Sequence, residues 1–175
     1  MTGPTWDPTA EAVFKRRAEQ LARLPTSPDA GDEVEVLACR VSNERYAVET
    51  RHLRAVQWVN GMTPVPCTPS FVLGIVSVRG EIVTLLDLAA MIGLGVVSTD
   101  TLEPERGYPV LLLGLPGMRS GLVVDEVLGV ERMKVNGLQP SLSGREFAVG
   151  VAADNTVLLD LDALFASGRF TVSDE

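Results

Sequence analysis

Basic residues are scarce in this chain of 175 residues, and so are aromatic residues, which make up 5% of it. Fifteen lysines and arginines are set against 23 aspartates and glutamates, so the formal net charge is −8 and the pI is about 4.7. Binding to a phosphate backbone requires clustered cations, and the one basic cluster is Lys15-Arg16-Arg17 near the start. The composition therefore disfavours a nucleic-acid partner.

Histidine and cysteine, the residues of many catalytic and metal sites, are almost missing: His52 is the only histidine, and Cys39 and Cys67 are the only cysteines. A Ser-His-Asp or Cys-His group would have to use His52, whose Arg-His-Leu-Arg context predicts a half-exposed turn. Cys39 falls on the inward side of a predicted strand, and Cys67 lies in a proline-rich loop. We therefore predict no catalytic residues, no metal site and no cofactor.

Long hydrophobic runs are also missing, since no stretch reaches the roughly 18 apolar residues of a membrane span. The opening MTGPTWDPTA has neither the basic region nor the apolar region of a secretory signal. We expect a cytoplasmic protein. The hydrophobic fraction of 46%, rich in Val and Leu, is sufficient for a sizeable core.

An internal repeat is the main positive feature. LLDLAAMI at 85–92 is echoed by LLDLDALF at 158–165, which places Asp87 and Asp160 73 positions apart. YAVETRHL at 46–53 is answered by GLVVDEVL at 121–128, 75 positions later. The chain is therefore predicted to contain two related β-rich halves, each ending in a short helix that begins at an aspartate N-cap.

The organisation follows from turn residues and periodicity. Residues 1–31 form a predicted tail, with an amphipathic helix over about 8–24 and a proline-rich linker after it. Residues 32–170 form the predicted body, with halves over about 32–94 and 107–170. Short strands at regular spacing, separated by turn residues, favour small barrels over a parallel sheet.

Arg79 has no evident role in folding. It precedes Gly80 in a predicted turn between two apolar strands, FVLGIVSV and EIVTLLDL. The plain interpretation is a solvated hairpin charge. The functional interpretation is a guanidinium beside apolar surface that offers directed hydrogen-bond donors to a partner.

The passage from Pro66 to Leu88, with FVLGIVSVRG and its LLDL ending, resembles the CheW family of adaptor proteins in bacterial chemosensory arrays. VLLLGLP and GLVVDEVLGV at 121–130 are similar to the second half of that family, and the resemblance covers about 33–168. It implies a mainly β fold with two small five-stranded, SH3-like β-barrel subdomains around a shared hydrophobic core. Short helices complete that fold, and the helix at about 8–24 is an extra N-terminal helix.

The resemblance also implies a function without catalysis. Such a protein is a cytoplasmic signal-transduction scaffold, recruited to membrane-associated receptor arrays. It joins the cytoplasmic tip of chemoreceptors to the regulatory domain of the CheA histidine kinase of a two-component system. Carried over by position, the receptor-binding residues would be Leu53, Val56, Gly74, Arg79, Ile82 and Val83. The kinase-binding residues would be Val124, Asp125 and Val127.

Three alternatives stand beside this interpretation. One is a CheW-like module of a signalling system without a motility output. Another is a β-barrel protein that binds a small ligand, which would require a large internal cavity. The third is a hydrolase built around His52 or Cys67.

Overall fold

The computed structural model describes residues 33–95, 105–141 and 146–168, so the predicted tail and its helix lie outside the described residues. The described chain is mainly β, as predicted. The strands are β1 (Glu33–Val41), β2 (Glu44–Glu49), β3 (Leu53–Val59), β4 (Val72–Val78), β5 (Glu81–Asp87), β6 (Tyr108–Leu113), β7 (Ser120–Val123), β8 (Glu126–Lys134), β9 (Ala148–Val151) and β10 (Val157–Leu159). The helices are α1 (Leu88–Met91) and α2 (Leu161–Ala166), and 3-10 turns cover Thr50–His52 and Val135–Gly137.

The strands form two five-stranded mixed sheets. The β1–β2 sheet has the order β8-β1-β2-β10-β9, and the β4–β5 sheet has the order β3-β6-β7-β5-β4. Each sheet contains strands from both halves of the sequence. If β1 to β5 are exchanged with β6 to β10 one for one, either order becomes the other, which confirms the predicted repeat.

Each sheet contains one parallel pairing among the described registers, and that pairing joins a strand of the first half to a strand of the second. β2 lies parallel to β10, with Ala47 opposite Leu158, and β5 lies parallel to β7, with Leu85 opposite Gly121. The other described pairings within the sheets are antiparallel. The two halves are therefore interleaved rather than laid side by side.

Alternation along the strands divides the core into three clusters. In β5, Leu85 packs in a cluster formed by residues of the β4–β5 sheet alone. Its neighbour Leu86 points to the other face and packs in the cluster shared between the two sheets. In β10, Leu158 packs inside the β1–β2 sheet, and Leu159 packs in the shared cluster. Strands whose two faces are both buried read as continuous apolar runs, which explains LLDL at both places in the sequence.

Both aspartates of the repeated LLDL motif cap a helix, as predicted. The Asp87 side chain accepts a hydrogen bond from the Ala90 amide at 3.2 Å, and the Asp160 side chain accepts one from Ala163 at 2.9 Å. Each capping oxygen satisfies an amide that the first turn of a helix leaves free. Asp87 is the last residue of β5 and Asp160 directly follows β10, so in each half the chain passes from strand to helix at the capping aspartate.

Candidate functional site

The β4–β5 hairpin turns through Arg79 and Gly80. Both have positive φ, 52° and 84°, and Val78 pairs with Glu81 directly below them. Two successive residues with positive φ are typical of a two-residue hairpin with a type I′ turn, which favours Asn, Asp and Gly. A long side chain such as arginine is uncommon in this conformation, which costs about 1–2 kcal/mol per residue.

Arg79 is exposed and has no ion pair among the described residues. Four other arginines of the described chain do have carboxylate partners: Arg40 contacts Glu126, Arg45 contacts Glu131, Arg51 contacts Glu49, and Arg54 contacts Glu81. The guanidinium of Arg79 therefore keeps its full set of donors available at the surface.

Apolar surface and a shallow depression lie beside Arg79. Ile82, three residues further along, is 56% exposed. A depression of about 300 Å³ lies between β3 and the hairpin. Its lining consists of Arg54, Ala55, Gln57, Val78, Arg79, Glu81 and Leu112. On its rim the Arg54 guanidinium contacts the Glu81 carboxylate at 3.0 Å, so Glu81 is engaged there.

Two predicted receptor-binding residues, Leu53 and Val56, lie on β3. Both are partly buried and pack against the shared cluster. Val56 pairs with Leu111 of β6, whose side chain belongs to the same cluster. Ile82 is four residues before Leu86, another member of that cluster, so it lies on the same face of the sheet. Val56 and Ile82 therefore lie on the same face of the β4–β5 sheet, whereas the depression beside Arg79 is lined by residues of the other face, among them Val78 and Leu112.

Gly74 and Val83, the other two predicted receptor-binding residues, are buried. A Cβ atom at Gly74 would lie 2.5 Å from the carbonyl oxygen of Thr63, which bonds to Ile75 in an isolated bridge. Val83 packs inside the β4–β5 sheet. Gly74 and Val83 therefore support the folded structure of the hairpin. Of the predicted receptor-binding residues on this hairpin, Arg79 and Ile82 are the exposed ones that a partner can contact.

The predicted kinase-binding residues lie where β7 meets β8. Val124 is buried in the shared cluster, and Val127 is partly buried against it. Asp125 has a structural contact of its own: its carboxylate accepts a hydrogen bond from the Ser42 amide at 2.6 Å. Ser42 lies in the tight turn between β1 and β2, so Asp125 fastens that hairpin to the β7–β8 junction.

The prediction of a half-exposed His52 is wrong. The residue is only 7% exposed, and its Nε2 lies 3.5 Å from a carboxylate oxygen of Asp162 on α2. In the folded chain α2 packs against the turn that contains His52. This contact joins residues far apart in the sequence, so the local sequence could not indicate it. Its position beneath α2 makes His52 a contact between elements of the fold.

The two cysteines differ as their positions predict. Cys39 is buried, and burial, assisted by the nearby charge of Asp125, raises the pKa of its thiol to about 12. Cys67 is exposed in its loop. In the part of the chain that the structure describes, no group of three or more His, Cys, Asp or Glu side chains could hold a metal ion. No described helix has the length and apolar character needed to cross a bilayer.

One surface was missed by the sequence analysis. Every second residue of β8 is exposed, including Leu128 at 36% and Val130 at 60%. The run EVLGVERMK does alternate, but the apolar residues fall on both faces, so the pattern did not show which face is buried. Val127 packs against the shared cluster and Met133 packs in the cluster on the other face of the β1–β2 sheet, so β8 changes its buried face along its length.

Comparison with known proteins identifies relatives with the same fold. The family model described as a CheW-like domain matches residues 35–169. The chain is 27% identical over 141 residues to the chemotaxis protein CheW of Rhizobium meliloti, covering 76% of this chain and 88% of that protein. It is 32% identical over 121 residues to the protein FrzA of Myxococcus xanthus, covering 68% and 71%.

A solved structure has the same fold. The crystal structure of the scaffolding protein TtCheW from Thermoanaerobacter tengcongensis superposes with a TM-score of 0.65 at 23% identity. The match covers 81% of this chain and 99% of that one. The family match spans nearly the whole described chain and includes both the Arg79 hairpin and the β7–β8 junction. The chain therefore belongs to the CheW family and is a non-enzymatic chemotaxis scaffold protein.

Proposed function

We propose that this scaffold is cytoplasmic and joins a chemoreceptor to a CheA-type histidine kinase, with the Arg79 hairpin as its receptor contact. The observation that carries the proposal is the state of Arg79 itself. Its guanidinium is exposed and without an ion pair among the described residues, and it occupies a turn position that disfavours a long side chain. A residue kept at a cost to folding is best explained by a contact made with a partner.

The chemistry of the surface fits a helical partner. Ile82 and Val56 give an apolar face that continues into the shared cluster, and a helix buries such a face through residues three and four apart. Arg79 would donate to a carboxylate or to carbonyl groups at the edge of that contact. The apolar face supplies the affinity, and the guanidinium fixes the orientation of the helix.

The kinase contact is proposed for the second half of the repeat, around Asp125 and Val127. Both are partly exposed at the β7–β8 junction, next to Val123, which pairs with Asp87 at the end of β5, whereas Arg79 lies just before the start of β5. The two partners would therefore bind near opposite ends of β5 and could be held at the same time, which is what a scaffold requires.

We also propose that each sheet curls into the small SH3-like barrel that the resemblance implies. β3 and β4 stand at opposite ends of their sheet order, yet Val59 of β3 packs in one cluster with Val78 of β4. The Arg54–Glu81 ion pair links β3 to the first residue of β5, which pairs with Val78 of β4. Among the described residues no strand pairing joins β3 to β4, so the barrel is closed by side chains.

The test is direct binding by purified proteins. The chain is titrated with a receptor cytoplasmic fragment and, separately, with the regulatory domain of the kinase from the same cell. We expect Arg79→Glu to weaken receptor binding about thirtyfold or more, because arginine is enriched among hot-spot residues and the substitution also reverses the charge. Kinase binding should be unchanged in that variant.

Arg119→Glu is the matched control. Arg119 is also exposed and without an ion pair among the described residues, and the substitution makes the same change in charge. If both variants lost the same amount of receptor affinity, the loss would be explained by the change in net charge, and the proposed role of Arg79 would be wrong. Asp125→Asn tests the other contact, since it keeps an oxygen for the Ser42 amide and removes only the charge. Its kinase affinity should fall while receptor binding stays.

A further inference from the structure

The depression between β3 and the β4–β5 hairpin carries an excess of positive charge. Arg54 and Arg79 both line it, and Glu81 is the one carboxylate among the described residues that do; we call it the Arg54–Arg79 depression. Arg54 contacts Glu81 at 3.0 Å, whereas Arg79 has no ion pair among the described residues. One positive charge is therefore unmatched there, in a chain whose formal net charge is −8.

The repeat supplies a comparison for this charge. β8 occupies the place of β3 in the other sheet order, and a second depression, of about 410 Å³, lies between β8 and the turn after β9. Its described lining contains two cations, Arg132 and Lys134, and two carboxylates, Glu131 and Asp154, so its formal charges balance. The unmatched charge of the Arg54–Arg79 depression is therefore not a consequence of the architecture that the two halves share.

Apolar side chains form much of the remaining lining. Val78 and Leu112 are buried, and Ala55 is partly buried beside them. Gln57 adds an amide that can both donate and accept hydrogen bonds. The volume of about 300 Å³ lies at the lower end of the range for small-molecule pockets, which combine an apolar lining with a few polar groups. The depression therefore suits a small ligand with a hydrocarbon chain and a negative charge.

We propose that the Arg54–Arg79 depression binds a small organic acid, a carboxylate on a short hydrocarbon chain. The carboxylate would accept charge-assisted hydrogen bonds from Arg79, whose planar guanidinium can donate two in parallel. The hydrocarbon chain would cover Val78 and Leu112, and Gln57 would bond to a polar group at its far end. An inorganic anion would leave the apolar lining uncovered, and a cation would be repelled by the unmatched charge.

Binding of the acid does not depend on the proposed receptor contact, but its effect on that contact does. Arg79 takes part in both, so an acid bound to its guanidinium would occupy the donors that the receptor requires. The acid should therefore weaken the affinity of the receptor fragment. Binding of the acid itself is measured with no receptor present, so failure of the receptor proposal and failure of the acid site are separate results.

Glutarate is the probe, added at constant ionic strength to the full chain labelled for amide NMR. We expect saturable shifts at the lining residues, with half-saturation at about 1–10 mM. Arg79→Gln should weaken the affinity about threefold to tenfold. Glu81→Gln should strengthen it by about the same factor, because it releases Arg54 and leaves a second positive charge unmatched. Circular dichroism checks that each variant is folded.

Three controls accompany the titration. Arg119→Gln removes an exposed positive charge outside the depression and should leave the affinity unchanged. Glutaramide keeps the hydrocarbon chain without the charge, and sulfate keeps the charge without the chain, so both should bind more weakly than glutarate. The inference would be overturned by unsaturable shifts with glutarate, by an equal response to sulfate, or by a Glu81→Gln variant that binds no more tightly than the original chain.

Discussion

The β4–β5 hairpin and the β9–β10 hairpin occupy corresponding places in the repeat. They differ in the type of residue that adopts a positive φ in the turn. Arg79 and Asn155 both have positive φ, at 52° and 66°, in the turns that precede β5 and β10. Asparagine suits this conformation because its short polar side chain can hydrogen-bond locally, whereas arginine does not. The turns themselves differ, because Arg79 and Gly80 form a two-residue turn with positive φ at both positions, whereas five residues separate β9 from β10 and only Asn155 among them has positive φ. A residue that opposes its own conformation is therefore found in the first turn and not in the second.

The surroundings of the two hairpins match in detail. Ile75 of β4 forms an isolated bridge with Thr63, and Val151 of β9 forms one with Gln139, 76 positions later in each case. The amide of Asp87 donates to the carbonyl of Phe71, and that of Asp160 donates to Phe147, both at 2.8 Å. Because these backbone contacts are the same in both halves, a substitution in one half can be compared with the matching substitution in the other, which serves as its control.

The largest expected effect concerns the glycines beneath the two bridges. A Cβ atom at Gly74 would lie 2.5 Å from the backbone oxygen of Thr63, and Gly74 has a φ of 156°. We expect Gly74→Ala to lower the free energy of unfolding by about 3 kcal/mol, because a backbone atom must move. Urea denaturation measures the loss.

Gly150→Ala is the matched variant in the other half. There the nearest atom is the Cβ of Leu138 at 2.7 Å, and the backbone of Gly150 has no strained φ. The expected loss is about 1–2 kcal/mol. If Gly150→Ala proved as damaging as Gly74→Ala, the close approach of Thr63 would not be the special feature of the first half.

The helix caps give an intermediate effect. Asp87 is 0% exposed, whereas Asp160 is partly exposed. Asp87→Ala should cost about 2 kcal/mol and Asp160→Ala about 1 kcal/mol, since water can replace the lost acceptor only at the second helix. Thermal unfolding compares the two, and Asp87→Asn, which retains a capping oxygen, should recover part of the loss. Equal melting temperatures for both alanine variants would contradict the role of burial.

Local signals predicted much of this frame from the sequence. The repeated LLDL motif predicted two capped helices at Asp87 and Asp160, and alternation predicted the buried side chain of Cys39. The repeat itself predicted related halves, but not that each sheet would take strands from both. Strand exchange depends on pairings between distant residues, such as Ala47 with Leu158, which leave no local mark.

The candidate site was also predictable only in part, because its turn has a local sequence signal whereas the burial around it depends on distant residues. The Arg-Gly pair indicated a hairpin turn, and the structure places it at the edge of apolar surface with Ile82. The burial of Gly74 could not be read from the sequence, because it depends on the loop that brings Thr63 over β4. The burial of Val83 depends on distant strands, since it packs in one cluster with Val59 of β3 and Val110 of β6. Burial of His52 likewise follows from α2, which is more than 100 residues away in the chain.

The smallest expected effect on stability is the most informative about function. Arg79→Asn should raise the free energy of unfolding by about 1 kcal/mol, because asparagine accepts the left-handed conformation that arginine opposes. Asn155→Arg should lower it by a similar amount, since Asn155 also has a positive φ, of 66°. The first variant should also lose receptor binding, and the second should leave it intact.

A stability gain joined to a binding loss would separate the two roles of position 79, which no destabilising variant can do. It would mean that the arginine is held against the preference of the fold for the sake of a partner. A loss of stability in Arg79→Asn would instead make the guanidinium part of the folded structure, and the difference between the hairpins would then concern folding alone. Denaturation and titration of the same two variants decide between these outcomes.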